Sequence, residues 1–475
     1  MKERGITLIA LIITIIILVI LAAVSIASVY NRGIVNYAVN GTQEYGKAAK
    51  EEDRIMQETE GFIEGTLSRI KYGTSVEVGQ KAKGGSKTYT SGSYTAIIPE
   101  GWVVSGKTTN NDETTIETGL VIYYINDLTE EQIAAIDWTD TTTTENLRKT
   151  YDQLVWIPMP RANINKMFMC QSEDGTNSCR ITLDNSGEAY CTTHNSNLMA
   201  GRLYSTNNSN AFNANQTAQT YNANSGYREP AVVTGNSTGD GTNYDNKSYC
   251  LDQLIAILGT GADSNEKYDS AANFKVTLQN EYNRIVKSVY ENEGFWVGRY
   301  ETGGMQNEDV VPEIKIVAGL RHGYGGIYPA ISYVTWYRMY AQQKKYAEGK
   351  GMLGGMIQGA AFDQMLLFVD ADPGYDITTP GQVGHVEELV GDEPYETGNT
   401  SYPSESTVPY NDLVNNIYDL EGNVIEMTTE AGNTNYRVHR GGNTDYKFSA
   451  SGRYCINYPA GLYGNTGTRI ALYIK

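Results

Sequence analysis

Side chains able to do covalent or metal chemistry are few in this chain, and their spacing does not serve it. The five cysteines, Cys170, Cys179, Cys191, Cys250 and Cys455, include no CxxC pair, so a zinc ribbon is not expected. Their odd number leaves at least one thiol free or bonded to another chain. Outside the cell some can join as disulfides, Cys170 and Cys179 being the nearest pair along the chain. The histidines, His194, His322, His385 and His439, share neither HxxH nor HExxH spacing, the spacing that brings two imidazoles to one metal. Arg321-His322-Gly323-Tyr324-Gly325-Gly326 opens no strand-to-helix phosphate loop and reads as a turn. The neighbours Glu51 and Glu52, like Glu387 and Glu388, point in different directions and read as solvated. No catalytic constellation emerges, so a non-enzymatic protein is expected.

What the chain has in excess is contact chemistry. It carries 36 Tyr against 8 Phe, with abundant Gly, Asn, Ser and Thr. Tyrosine offers a flat surface and a hydroxyl at low conformational cost, which suits binding loops, although half-buried β-structure uses it equally well. The formal net charge is −18 and Lys and Arg form no dense block. A nucleic-acid partner is therefore not expected, because phosphate binding needs clustered cations. At 475 residues the chain is too long for one ordinary domain and predicts two folded units plus a helical stalk.

Residues Ile6 to Val29 are almost unbrokenly apolar, interrupted only by Thr7, Thr14, Ser25 and Ser28. As a helix they would span roughly 36 Å, enough for a bilayer. Lys2 and Arg4 before the run keep the N-terminus cytoplasmic and send everything after Tyr30 outside. The junction Lys2-Glu3-Arg4-Gly5-Ile6 places a short basic leader ending in Gly directly against the apolar helix. This resembles a type IV prepilin signal, in which a prepilin peptidase cuts after the Gly and methylates the new N-terminus. The resemblance makes Gly5 and Ile6 the processing site and other pilin-like subunits the partners. A plain membrane anchor, or a secretory signal cut near Ala22-Ala23, fits the same run. The fifth mature residue, usually Glu in that family, is Ala10 here, which puts ordinary polymerisation in doubt. The helix is expected to continue to about residue 72, with Ile55, Met56, Phe62, Ile63, Leu67 and Ile70 on one face, and to end near Gly73.

From residue 73 to 127 the pattern turns to short β-branched and aromatic runs. Tyr94 to Ile98, Trp102 to Val104 and Gly119 to Ile125 read as strands of a small β module. Residues 128–148 read as a linker with a short helix. A large domain follows over 149–475.

That domain carries ordered motifs: Leu154-Val155-Trp156-Ile157-Pro158, Gly294 to Glu301, Ser332 to Trp336, Glu421-Gly422-Asn423-Val424-Ile425-Glu426, Arg437 to Gly442, and Gly467 to Leu472. Helices are expected over Tyr337 to Tyr346 and Ala360 to Phe368, and insertions over 172–270 and 370–410. In this order the motifs resemble the formylglycine-generating-enzyme (sulfatase-modifying factor) family, a branch of the C-type-lectin-like fold. The predicted class is thus α+β: a long pilin-like N-terminal helix, a small β module and a large C-type-lectin-like domain. The family's oxidase activity uses two cysteines after its RGGS-like motif. The matching places are about Tyr446 and Ser451, neither a thiol, so the resemblance extends to the scaffold and not to that chemistry.

In this family the segment after Arg440 lines the active-site face. Here it holds Asn443, Asp445, Tyr446, Tyr454, Asn457, Tyr458, Tyr463 and Asn465, aromatic anchors among small polar groups. They are the predicted ligand-binding residues, for a protein or glycan ligand. Target proteins of diversity-generating retroelements share this fold and vary in this segment, which adds to the resemblance. The family also implies a calcium site at Glu421, Gly422, Asn423, Val424 and Glu426, whose oxygens suit a hard cation; simple hydrogen bonding within the turn is the other reading. The expected function is a surface-displayed adhesin or receptor-binding head on the cell membrane and extracellular surface. The alternatives are a structural pilin or pseudopilin filament subunit and a formylglycine-generating-type oxidase.

Overall fold

The computed structural model describes residues 71–161 apart from 110, most of 248–304, and 314–318, 334–371, 413–431, 436–442, 449–457 and 466–475. It also describes short strands within 168–200 and the single residues Leu18, Ile164, Tyr375 and Ile377. The chain divides into two compact units, Met1–Leu67 and Ser68–Lys475. The expected leader and processing site, the apolar run apart from Leu18, and nearly all of the stalk lie outside the described residues. Among the described residues no helix is long and apolar enough to cross a membrane. The first described residues of the second unit are the helical Lys71 and Tyr72, and Gly73 follows at φ +74. A glycine in the left-handed region is the usual way to stop a helix.

The second unit is mixed α and β. Its main sheet is antiparallel, with order β11-β18-β10-β5-β4-β3. These strands are β3 Val103–Val104, β4 Val121–Tyr123, β5 Gln153–Pro158, β10 Gly294–Gly298, β11 Leu353–Met356 and β18 Ile470–Tyr473. Successive side chains point to opposite faces of a sheet, so each apolar run feeds two cores. Val155, Ile157, Phe295, Val297, Ala471 and Tyr473 go to one. Leu154, Trp156, Trp296, Ile470 and Leu472 go to the other.

Helices cover both faces. The first core packs α1 Glu130–Ala134, α2 Thr141–Thr150 and α6 Gly359–Asp370 against the sheet. The second holds α3 Ser248–Leu258 and α5 Trp336–Gly349. The 22-residue α4, Ala271–Asn292, contributes to both, through Tyr282, Ile285, Val286 and Val289 on one side and Phe274 and Leu278 on the other. Its start is fixed by the Ser270 side chain accepting from the Asn273 amide, and its end by Glu293 in a left-handed conformation.

The separate module expected over 73–127 is corrected here. Its hairpin, β1 Lys87–Ser91 and β2 Tyr94–Ile98, lies on the second core, where Trp296 Nε1 donates to Ile97 O at 2.9 Å. Its remaining strands, β3 and β4, complete the main sheet by pairing through β4 with β5. The expected linker 128–148 supplies α1 and most of α2, whose Ile133 and Leu147 are core residues. Short alternating runs give no sign of the sheet they join, because a strand's partner is not local.

Four short strands follow, β6 Phe168–Cys170 just before the expected insertion and β7 Ile181–Leu183, β8 Ala189–Cys191 and β9 Leu198–Ala200 within it. They pair β6 with β9 and β7 with β8. Near the C-terminus, β12 Leu413–Val414 and β13 Ile417–Tyr418 form a small ladder. A second sheet of order β16-β15-β14-β17 is built from β14 Ile425–Ala431, β15 Arg437–Arg440, β16 Arg453–Asn457 and β17 Thr466–Thr468.

The centre of the main sheet is tight. Trp156 and Trp296 are paired across β5 and β10, their rings 5.0 Å apart and edge to face. A Cβ on Gly294 would lie 2.2 Å from the Trp156 ring and 2.7 Å from Ile157 O. Gly294→Ala should therefore destabilise the fold by about 1–3 kcal/mol, the usual cost of overpacking. Chemical denaturation of the full chain measures it, and an unchanged midpoint would mean that this contact relaxes freely.

Candidate functional site

The segment predicted to bind ligand leaves and re-enters the second sheet. β15 delivers the chain to Gly441 at φ +72, where a Cβ would lie 2.5 Å from Leu420 O. β16 takes it up at Arg453 and β17 at Thr466. Tyr454 and Asn457 lie on β16, in register with His439 and Arg437. Asn443, Asp445, Tyr446, Tyr458, Tyr463 and Asn465 lie outside the described residues. Ser451, one of the two places where the resembled family carries a thiol, is buried with its Oγ 3.0 Å from Ser449 Oγ; Tyr446 is the other.

Fully buried arginines fix the bases of this segment. Arg440, the last residue of β15, donates to Asp363 Oδ1 at 2.6 Å and to Gly452 O at 3.1 Å. Arg453, the first of β16, pairs with Glu430. Arg437 lies 3.6 Å from the Trp336 ring centre and donates to Thr429 O. Arg469 is the single residue between β17 and β18. It donates to Gly298 O at 2.9 Å and Tyr418 O at 2.8 Å. Its Nη2 also stands 2.6 Å from Glu426 Oε1, an ion pair without hydrogen-bond alignment. A buried guanidinium needs such partners, and its several fixed donors can tie separate strands together.

The five positions with the implied calcium role come together at one turn. The Glu421 carboxyl accepts from the Ala450 amide at 2.9 Å, tying the turn to the segment. The Asn423 amide donates to Glu301, which also accepts from Val424 N at 3.1 Å. Burial, with Asp419 and Glu426 close by, pushes the Glu301 carboxyl well above its ordinary range. Burial likewise raises Glu426 to about 7, against the pull of Arg469. Asn423 Oδ1 and both Glu426 oxygens have no hydrogen-bond partner. This donor chemistry, buried carboxylates with an orphaned amide oxygen, suits a hard divalent cation. Among the described residues, however, no group of three or more His, Cys, Asp or Glu side chains is arranged to hold a metal ion.

A second charged cluster is centred on Arg299, the residue that follows β10. Arg299 donates to Glu113 Oε1 at 2.8 Å and Gln153 Oε1 at 3.0 Å. Burial would raise the Glu113 carboxyl, but Arg299 and Lys107 reverse this and hold it below the usual range. Tyr300 and Tyr418 stack with centroids 4.9 Å apart, and Arg148 Nε donates to Tyr300 Oη at 2.8 Å. Sequence reasoning singled out Glu426 but gave no site role to Glu301, Arg299 or Arg469. The available signal was Arg299-Tyr300-Glu301 immediately after a buried apolar strand, since charges there must be paired.

Comparison with known proteins adds no family. No family model matches the chain, and no curated protein matches it. Among solved structures, the crystal structure of CarF aligns over 38% of this chain and 87% of its own, at 14% identity and a TM-score of 0.25. PvdO from Pseudomonas aeruginosa aligns over 38% of this chain and 82% of its own, also at 14% identity and a TM-score of 0.25.

His439 is fully buried on β15, and burial depresses its imidazole to about 3. Between that value and its ordinary 6.5 the unfolded chain binds a proton that the folded one does not. Stability should fall as pH drops through that window, by about 1.4 kcal/mol per pH unit from this group. Denaturation midpoints of wild type and His439→Asn, followed from pH 7 to 4, should diverge in slope. Parallel curves would show that the imidazole takes up its proton without cost.

Proposed function

We propose that this is a surface-displayed, pilin-like protein whose C-terminal domain has the C-type-lectin-like layout and binds a protein or glycan ligand without catalysing a reaction. The N-terminal leader junction and apolar run support membrane attachment, export and pilin-like partners. The order of motifs from Leu154 to Leu472 supports the lectin-like layout, and the serine at position 451 argues against thiol oxidation. The observation that carries the binding reading is how the polar, aromatic segment is held. Its stretches 443–448 and 458–465 lie in the chain between β15 and β16 and between β16 and β17, and buried arginines lock the ends of those strands. Contact residues carried between the elements of a rigid scaffold are a common arrangement for recognition.

Deleting residues 128–475 would remove β5, the partner of β4, so substitution is the better test. Tyr446→Ser, Tyr458→Ser and Tyr463→Ser together should lower adhesion of cells displaying the chain by roughly tenfold or more, as expected for aromatic anchors. The melting temperature should be unchanged. Undiminished adhesion would favour the filament-subunit reading, which the leader also supports.

Calcium belongs to the same proposal. Glu301, Asn423 and Glu426 would supply its oxygens, and the ion would offset the excess of buried carboxylate, fixing the turn beneath the binding segment. Added calcium should raise the melting temperature of the full chain, a chelator should reverse the rise, and Glu426→Gln should remove it. A melting temperature indifferent to calcium would end that part of the reading.

A further inference from the structure

A cleft of about 380 Å³ opens between the end of α3, the loop before α4, α4, α5 and the start of β11. None of its lining residues belongs to the turn 421–426 or to the segment 443–465. Its floor is Lys344, whose side chain is only 6% exposed. The ammonium lies 3.1 Å from Glu266 Oε1, 3.4 Å from Glu348 Oε1 and 3.8 Å from Glu281 Oε1. Burial alone would lower the Lys344 pKa, but Glu281, Glu266 and Glu348 raise it. The lysine therefore stays charged, with its ammonium surrounded by three carboxylates.

The carboxylates are not saturated. Each has about four lone-pair sites, far more in total than one ammonium and the Tyr268 and Tyr340 hydroxyls can fill. Glu348, 47% exposed, presents that spare capacity at the rim. Arg284 supplies the opposite chemistry. Its Nη2 is 3.9 Å from Glu266 Oε2, beyond hydrogen-bond reach, and its buried Nε has no hydrogen-bond partner. Leu258, Met352 and Leu353 add an apolar wall. Free acceptors, free planar donors and an apolar wall share one concave site, and a few polar groups among apolar ones is what small-molecule pockets require.

We infer that this cleft binds a free aliphatic amino acid, with the ammonium on Glu348 and Glu266, the carboxylate on Arg284 and the side chain against Leu258, Met352 and Leu353. The guanidinium fork matches a carboxylate in two-point geometry.

The test is calorimetric titration of the full chain with leucine, its methyl ester and 4-methylpentanoate, which present both charges, only the cation and only the anion. Leucine should bind saturably, and each single-charge analogue at least about tenfold more weakly, because each loses one charge-assisted contact. Arg284→Gln should weaken leucine to the level of its ester while leaving the ester unaffected. Glu348→Gln should weaken leucine and the ester, but not 4-methylpentanoate. Both are rim residues, so melting temperatures should hold, and Arg284→Lys keeps the charge while removing the fork. Equal binding of the three ligands to the wild-type chain, or no saturable binding of leucine, overturns the inference without touching the adhesion reading.

Discussion

Arg469 is the constraint on which the C-terminal half turns. It is the one residue between a strand of the small sheet and a strand of the main sheet, so the chain changes sheet at its Cα. Its guanidinium reaches β10 through Gly298 O, β13 through Tyr418 O and the start of β14 through Glu426. Backbone bonds run alongside: Ile357 N donates to Arg469 O, and Thr429 N to Ile357 O. Two sheets that would otherwise meet only through side-chain packing are thereby held in one register. Removing one partner from a buried pair of this kind costs about 3–5 kcal/mol, because a lone charge is left without water.

The same economy recurs around it. Arginines 299, 437, 440, 453 and 469 are among the largest fully buried side chains. Each ends or starts a strand or follows one directly, where backbone carbonyls are available as acceptors. Buried ion pairs are poor sources of net stability. What they supply here is position: apolar packing tolerates small slides, whereas a guanidinium between named oxygens does not. That suits strands that flank the segment proposed to bind a ligand.

Legibility in the sequence followed locality. The two helices expected over Tyr337 to Tyr346 and Ala360 to Phe368 are α5 and α6, because their apolar residues recur at helical spacing inside short windows. The strands at Tyr94, Val103 and Val121 were equally readable. The helix α4 was not singled out, although Ser270 as a cap and Phe274, Leu278, Tyr282, Ile285 and Val289 at three- and four-residue intervals would have marked it. The partner of β4 was unreadable in principle, since Val121–Tyr123 pairs with Leu154 and its neighbours across two intervening helices. The turn Glu421–Glu426 was found as a unit, but Glu301, which accepts from Asn423 and Val424, lies more than a hundred residues earlier.

The sequence by itself determined the α+β class, the positions of the strongest strands and helices, the acidic balance and the cluster of tyrosine and asparagine near the C-terminus. These depend on composition and on periodicities of two or 3.6 residues, which are written in short windows. Tertiary structure decided which strands share a sheet, that β3 and β4 belong to the main sheet, and that scattered arginines and carboxylates meet in buried clusters. It also decided that Glu266, Arg284 and Lys344 surround one cleft. Charges far apart in the chain become partners only after burial removes the water that would otherwise have solvated each of them separately.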